Sequence, residues 1–321
     1  MHKVVRPAIV AVACVTALAG GAVSAPGMAA SAPAAGRFTS SGEGPVNSWW
    51  VETPQGRLIL FDAQRDTSSA NQLIAELQAT GKPVAAIFVT HPHPDHVTGL
   101  GLVAAAFPQA GVYAGAVTAT EISADSQGLL KPAAEASPGV LPAPRFTRVL
   151  RDNESVAIDG VEVRALTIGD GESVGATAFW LPKMKLLLAG DVATAGPLPW
   201  LAEARTGDWL AQLGELKTRV PAGAMTLPGH GDAAPYGKLS GWTSGFLKAV
   251  RGAVTAAQRP KSPEGEKVTE AERDAIAADL TKRFRLTSGV AALPIERLWK
   301  LNIDAVAREL RGDLKGYLPE K

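Results

Sequence analysis

Three histidines and one aspartate lie within six consecutive residues of this chain, in a stretch that reads Thr-His-Pro-His-Pro-Asp-His-Val-Thr-Gly. The whole sequence of 321 residues has only five histidines, and one of these is His2. Imidazole nitrogens and carboxylate oxygens are costly to remove from water together, but they are ligands of zinc and similar divalent metals. The cluster of His91, His93, Asp95 and His96 therefore predicts a metal site.

The elements around this cluster position it at the end of a buried strand. Residues 84–89 form a short apolar run rich in β-formers, which favours a buried strand over a helix. Alternate side chains of an extended segment point the same way, so His91 and His93 can face one point. Pro92 and Pro94 stiffen the segment. Asp95 and His96 follow at a turn into the next helix, where they can serve a second centre.

The rest of the pattern alternates strands with helices. Further strands are expected at 46–52, 56–62, 111–114, 146–150, 154–158, 161–167, 177–181, 185–188 and 225–227. Helices are expected at 67–80, 100–107, 208–219, 273–284 and 294–310, with a capping box at 269–272, and a surface loop near the site at 128–145. This order predicts a layered α/β protein whose sheets are covered by helices on their outer sides. The mostly helical part from residue 238 onward is either a small separate domain or a cap, and the lack of a long preceding linker favours a cap.

The amino terminus has the pattern of a secretory signal peptide, predicted at 1–32. Lys3 and Arg6 precede an apolar run at 8–18, which is followed by small residues. The run is short for a membrane span, so an uncleaved anchor is the less favoured alternative. Cleavage would remove Cys14, the only cysteine, and leave a secreted or periplasmic protein with no stable membrane span and no disulfide. Residues 33–44, rich in Ala, Ser and Gly, are expected to form a flexible lead-in.

Charge gives no indication of a macromolecular partner. The sequence has 32 Lys and Arg against 31 Asp and Glu, and it has no long basic or acidic run. This balance does not favour nucleic acid or an anionic membrane, and a small-molecule substrate is expected. No lysine or arginine beside the motifs indicates selection of an anionic group.

Over about 46–232 the chain resembles the hydrolases of the metallo-β-lactamase fold. Their His-x-His-x-Asp-His signature is matched by the cluster at 91–96. Their Gly-Asp after an apolar strand is matched by Asp191, and their Pro-Gly-His near the end of the domain is matched by His230. The resemblance implies a four-layer αββα sandwich as the metallo-hydrolase domain, residues 45–237, with a C-terminal helical extension at 238–321.

One position departs from the family pattern. Hydrolases of this fold usually carry a histidine in a Gly-His-Thr-x-Gly loop before the next strand, and no histidine is present there. Counting back from Pro182 gives Glu172, and this substitution resembles the alkylsulfatase-like branch of the superfamily. Asp170 is a second candidate, although it would require the loop to shift. A glutamate ligand would give the first metal site more oxygen-donor character, which favours harder cations such as manganese or iron alongside zinc.

The resemblance implies a dinuclear centre that carries out metal-assisted hydrolysis. His91, His93 and Glu172 would hold the first divalent cation, and Asp191 would bridge to the second. The second cation would be held by Asp95, His96 and His230, and Asp95 could also accept a proton as the catalytic residue. Zinc is the expected metal, with manganese or iron as alternatives. A metal-activated water or hydroxide would attack an ester, lactone, thioester, sulfate ester or amide-like substrate.

Several assignments stay open from the sequence. Thr90, Thr98 and Ser173 are candidates to orient ligands, or they are ordinary loop hydroxyls. Four tryptophans either line an apolar approach or pack in the core: Trp49, Trp50, Trp200 and Trp209. The alternative functions are an exported non-catalytic metal-binding protein, a β-lactamase proper, or an oxygen-using relative containing iron. A structural zinc needs only four ligands, which weighs against the first alternative.

Overall fold

The computed structural model describes residues 35–258 and 268–313. The predicted signal peptide at 1–32, together with Cys14, lies outside these residues. Within the described ranges, no helix combines the length and apolar character needed to cross a membrane.

Twelve strands and nine helices occupy the described residues. The strands are β1 Ala35–Thr39, β2 Asn47–Glu52, β3 Leu58–Phe61, β4 Val84–Val89, β5 Gly111–Gly115, β6 Arg148–Leu150, β7 Ser155–Ile158, β8 Val161–Thr167, β9 Thr177–Leu181, β10 Leu186–Gly190, β11 Met225–Pro228 and β12 Ala234–Pro235. The helices are α1 Thr67–Ala79, α2 Pro94–Val97, α3 Leu100–Ala106, α4 Ala116–Ala124, α5 Leu130–Glu135, α6 Thr206–Arg219, α7 Tyr236–Ala257, α8 Glu270–Phe284 and α9 Ile295–Leu310.

The strands form two six-stranded mixed sheets. The first sheet has the order β1-β2-β3-β4-β5-β6, and the second has the order β12-β11-β10-β9-β8-β7. Strands β3 to β6 of the first sheet run parallel, and in the second sheet β10 and β11 are the parallel pair. Parallel neighbours place their carboxyl ends at one edge, which is where loops of α/β proteins carry functional groups.

The three large hydrophobic cores of the described residues define four layers, as predicted. The central core joins the two sheets, with Phe61 and Phe88 of the first facing Phe179 of the second. An outer core packs α1 and α3 on the first sheet through buried residues such as Leu73 and Val103. The other outer core covers the second sheet with α6 and the C-terminal helices. The order is therefore helix, sheet, sheet, helix, with a C-terminal helical region.

The segment predicted as a flexible lead-in contains a strand instead. Strand β1 pairs antiparallel with β2 and places Phe38 opposite Ser48. The Arg37 guanidinium lies 5.3 Å from the Trp49 ring centroid and 2.9 Å from the Asp232 carboxylate. These contacts come from residues distant in sequence, so the small and polar composition of the segment gave no signal for them.

Two further differences concern helices. Helix α4 was not expected, and the stretch predicted as a surface loop at 128–145 contains the short helix α5. The predicted boundary at 238 falls in the first turn of α7, which packs on α6 and on the second sheet. The capping box predicted before α8 is confirmed, because Thr269 accepts from the Glu272 backbone N–H and Glu272 accepts from that of Thr269.

Helix α9 is tied by a buried amide to the loop that follows β10. Asn302 has no exposed surface; its Oδ1 accepts from the Leu201 N–H at 2.8 Å, and its Nδ2 donates to the Pro199 carbonyl at 2.8 Å. Both partners belong to the loop that follows β10. The C-terminal helices thus hold a loop that begins beside Asp191.

Replacing Asn302 by Ala should destabilise the protein by about 1–3 kcal/mol, because a buried N–H and a buried C=O would lose their partners. Chemical denaturation measures the free energy of unfolding. Lys300→Ala on the exposed side of the same helix is the matched control and should change it by less than about 0.5 kcal/mol. Equal effects of the two substitutions would contradict the proposed anchoring.

Candidate metal centre

The seven predicted ligands lie together at the carboxyl ends of strands from both sheets. The histidine cluster follows β4, Glu172 lies between β8 and β9, Asp191 follows β10 directly, and His230 follows β11. Six of the seven are buried, with exposed fractions of 6 % or less. The exception is Asp95, whose side chain is 21 % exposed.

A first group of possible metal ligands comprises His91, His93, Glu172 and Asp191. One ligand atom from each lies within 4.8 Å of all the others. The Glu172 carboxylate is 3.2 Å from His93 Nδ1 and 3.9 Å from His91 Nε2. The spacing suits a shared cation between these atoms.

A second group comprises Asp95, His96 and His230, again within 4.8 Å. His230 Nε2 lies 3.1 Å from an Asp95 oxygen and 3.2 Å from Asp191 Oδ2. The other oxygen of Asp191 is 3.4 Å from His96 Nε2. Asp191 therefore contacts the second group while belonging to the first.

Asp62, which the sequence analysis did not identify, supports two of the histidines. Its carboxylate accepts from the Thr90 backbone N–H at 2.8 Å and lies 3.0 Å from His96 Nδ1. Thr90 Oγ1 in turn lies 2.9 Å from His91 Nδ1, so of the two alternatives left open by the sequence its position favours an orienting hydroxyl. Asp62, His91 and His96 form a third group within metal-binding distance, but these contacts already occupy both Asp62 oxygens.

The other two imidazoles have outer partners of different kinds. His93 Nε2 lies 3.0 Å from Oε1 of the buried Glu203, whose second oxygen accepts from Gln127 Nε2 at 2.8 Å. His230 Nδ1 hydrogen-bonds to the Pro45 carbonyl. All four imidazoles are thus held through one nitrogen while the other faces the cluster, which is the arrangement found around metal-binding histidines.

Several inward atoms have no hydrogen-bond partner among the described residues despite being buried. They are His91 Nε2, His96 Nε2, both oxygens of Glu172 and Asp191 Oδ1. Unpaired buried polar atoms are costly, so native proteins satisfy them with protein, water or ions. Nitrogen and oxygen donors aimed at the same small space fit divalent cations.

The pKa values show how strongly these groups interact. Burial lowers the pKa of His230, but Asp191 and Asp95 outweigh it and raise it to about 9. Burial raises the pKa of Asp191, yet His230 and His96 bring it well below its usual value. Burial raises the pKa of Glu172. Cations can replace the protons that compensate these carboxylates, so metal binding is expected to release protons.

Two glycines explain the short motifs around Asp191 and His230. Gly190 has φ +52, and a Cβ there would lie 2.7 Å from Thr90 Oγ1. A Cβ on Gly229 would lie 2.1 Å from Asp191 Oδ1. Both motifs therefore need glycine because the loops approach the cluster closely.

Glu172 and Asp170, the two candidates for the substituted ligand, differ in burial and in their partners. Glu172 is 1 % exposed and faces the histidines, and its backbone N–H donates to Gln212 Oε1 at 3.0 Å. The Asp170 side chain is 42 % exposed and pairs with Arg205 at 3.0 Å. Only Glu172 joins the cluster.

Other predicted contributors lie in different surroundings. The hydroxyls of Thr98 and Ser173 are buried without a hydrogen-bond partner in the described part of the chain, so neither orients a ligand in that way. The indoles of Trp49 and Trp209 are buried and donate to backbone carbonyls at 2.8 Å. Trp50 packs against the outer core of the first sheet.

A cavity of about 540 Å³ opens beside the cluster. His93, Asp95 and Asp191 line it at one side. Its other walls are mainly apolar and come from α5, the loop before α9 and Trp200. A small organic molecule would fit there next to the candidate metal ligands.

Comparison with known proteins gives relatives with hydrolase names. Over 152 residues the chain is 28% identical to a hydroxyacylglutathione hydrolase from Synechococcus sp. (strain JA-3-3Ab), covering 47% of this chain and 52% of that protein. It is 26% identical to a metallo-beta-lactamase type 2 from Bacteroides fragilis over 152 residues, which cover 46% of this chain and 54% of that protein. Each match thus spans about half the length of the relative.

A solved structure gives a longer match at lower identity. A metallo-beta-lactamase family protein from Thermus thermophilus superposes with a TM-score of 0.60 over 84% of this chain and 89% of that one, at 21% identity. This likeness supports the fold alone. The sequence model of the metallo-beta-lactamase superfamily matches residues 41–238, which include all seven clustered residues. The chain is therefore a member of the metallo-beta-lactamase superfamily.

Proposed function

We propose that this protein is an exported, metal-dependent hydrolase of small molecules with a dinuclear centre. The observation that carries the proposal is a pair of ligand groups in which Asp191 of the first group contacts His96 and His230 of the second, with buried donor atoms unpaired and a cavity beside them. A purely structural metal site would be closed and would need only four ligands. Export is supported by the signal-peptide pattern at 1–32.

In this proposal His91, His93 and Glu172 would hold the first cation, and Asp95, His96 and His230 would hold the second. Asp191, which lies against both groups, would be a ligand common to them. Zinc suits the imidazoles, whereas the added carboxylate of Glu172 makes manganese or iron acceptable. The likeness of Glu172 to the alkylsulfatase-like branch remains a prediction.

Divalent cations bound here would lower the pKa of water toward neutrality and polarise a scissile carbonyl or ester group. The protein groups supply orientation and proton acceptance. Asp95 lines the cavity and is the most exposed of the seven, so its carboxylate can reach a water there and accept a proton. Thr90, Asp62 and Glu203 fix the imidazole orientations. The apolar walls favour an ester, lactone or thioester with an apolar body.

The hydrolase proposal predicts about two metal ions per chain and turnover that requires His96. Elemental analysis would measure the metals, and a panel of ester, lactone, thioester, sulfate-ester and β-lactam compounds would measure turnover. His96→Ala should reduce kcat/KM by at least about 100-fold, because a ligand of one cation is lost. Asp232→Asn, at a 92 % exposed carboxylate near His230, is the control and should retain activity. Stoichiometric metal without turnover across the panel would favour a non-catalytic metal-binding protein.

The assignment of Glu172 has its own test. Glu172→Gln removes the negative charge at nearly constant volume, so the first site should lose most of its metal and the content should fall by about one ion per chain. Asp170→Asn is the matched control and should retain full metal content, since Asp170 pairs with Arg205 outside the cluster. Full metal content and activity in Glu172→Gln would rule out the carboxylate as a required ligand.

Glu203 is proposed to position His93. Glu203→Gln should weaken metal binding at the first site by about 10- to 100-fold, because the carboxylate that orients the imidazole and increases its basicity is lost. Competition with a chelator measures the affinity, and unfolding of the metal-free protein checks for a general loss of stability. Glu215→Gln, on the exposed side of α6, is the control. If Glu203→Gln lowered stability without changing metal affinity, Glu203 would have only a structural function.

A further inference from the structure

We propose that the cavity selects substrates that carry a carboxylate away from the bond to be cleaved, and that Arg65 binds this carboxylate. The inference rests on the proposed hydrolase function and specifies its substrate class. It starts from an arginine that no motif identified and that lines the same cavity as His93, Asp95 and Asp191.

One nitrogen of the Arg65 guanidinium has a hydrogen-bond partner among the described residues, and the other two have none. Its Nη1 donates to the Glu43 carbonyl at 2.7 Å. Its Nε and Nη2 are buried and have no hydrogen-bond partner among the described residues. These two nitrogens form one edge of the guanidinium plane, with parallel N–H bonds that match the two oxygens of a carboxylate. A buried, unpaired fork of this kind is costly without an anion.

The neighbouring acid does not supply that anion. Asp66 Oδ1 accepts from the Ser69 backbone N–H at 2.7 Å and from Ser69 Oγ at 2.8 Å, which caps α1. In the described part of the chain, Arg65 forms no ion pair. Apart from Arg65 and Asp66, the titratable residues of the cavity wall are the candidate metal ligands, so Arg65 supplies the remaining positive charge of the wall. Its Nε and Nη2 are covered in this arrangement, and a rotation of the side chain would turn this edge toward a ligand.

The backbone that presents Arg65 is fixed by the same loop that supports the metal centre. The Ala63 N–H donates to the His96 carbonyl at 2.8 Å, and the Gly99 N–H donates to the Gln64 carbonyl at 2.9 Å. The Gln64 side chain is fully buried and donates to Ser48 Oγ at 2.8 Å. This loop therefore holds the base of Arg65 in a constant relation to His96, which reduces the entropy lost when a ligand is bound at both places.

The rest of the cavity defines the middle of the substrate. Leu129, Pro132 and Ala133 line one side, and Ala291 and Leu293 line another. These side chains offer no hydrogen bonds, so the part of the ligand between the two polar ends should be apolar. The expected substrate is an ester, thioester or lactone with an apolar chain or ring and a distal carboxylate.

A matched pair of esters tests the selection. The mono-4-nitrophenyl ester of suberic acid carries a distal carboxylate, and 4-nitrophenyl octanoate has the same chain length without it. The metal-loaded protein should show a higher kcat/KM for the acidic ester. Arg65→Ala should reduce the acidic-to-neutral ratio by about 10- to 100-fold, the value of a charged hydrogen-bonded pair. The acidic-to-neutral ratio of Arg65→Lys should lie between those of the unchanged protein and Arg65→Ala, because lysine keeps the positive charge but lacks the two parallel N–H donors.

Arg164→Ala is the matched control, because Arg164 is also half-buried but lies on the second sheet in a pair with Glu162. It should leave the ratio unchanged. Thermal unfolding of each variant checks that the loop at Arg65 remains folded. A ratio unaffected by Arg65→Ala in a folded variant would overturn the proposal.

Binding of unreactive acids keeps this result separate from the hydrolase proposal. Calorimetry would compare glutarate, adipate and suberate with pentanoate, hexanoate and octanoate on the metal-loaded protein. A dicarboxylate preference that Arg65→Ala abolishes supports the Arg65 site even if no ester is cleaved. Metal-dependent cleavage of neutral esters, with no dicarboxylate preference, supports the hydrolase and overturns the carboxylate site.

Discussion

The structure depends on compensating several charged groups inside one buried space. Three carboxylates and four imidazoles lie at the candidate centre, and six of the seven residues are at most 6 % exposed. Removing an ionised group from water costs several kcal/mol unless opposite charge and hydrogen bonds replace the water. Divalent cations would supply such charge within the short distances seen here.

The two sheets and the C-terminal helices all contribute to this compensation. The first sheet supplies the histidine cluster and Asp62, and the second supplies Glu172, Asp191 and His230. A chain of contacts also links α9 to the centre. Asn302 holds Leu201, the same loop carries Glu203, and Glu203 contacts His93. The helical region predicted as a cap therefore supports a group next to a candidate ligand rather than only covering the second sheet.

The candidate site was largely predictable because its main motif is local. His91, His93, Asp95 and His96 are near each other in the chain, so composition alone indicates their joint function. Glu203 lies 110 positions from His93, and only the folded chain places them together. Asp62 gave a weak signal, since it also follows a buried apolar strand. Strand β1 was missed because its pairing with β2 and its contact with Asp232 are not encoded in its own composition.

Arg65 was missed for a related reason, and it connects to the exchanged ligand. The two divalent cations of the proposed centre would bring four positive charges, of which Glu172, Asp95 and Asp191 would offset three, whereas a histidine at the position of Glu172 would leave one more positive charge. A centre with lower net charge attracts an anionic substrate less strongly by itself. In the proposed function, the Arg65 guanidinium would restore that attraction at a distance from the cations. It would also orient the substrate, because a carboxylate bound at Arg65 would leave the other end of the molecule to approach Asp95 and Asp191. The lower positive charge of the proposed centre and the unpaired Nε and Nη2 of Arg65 are thus two parts of one proposal for substrate selection.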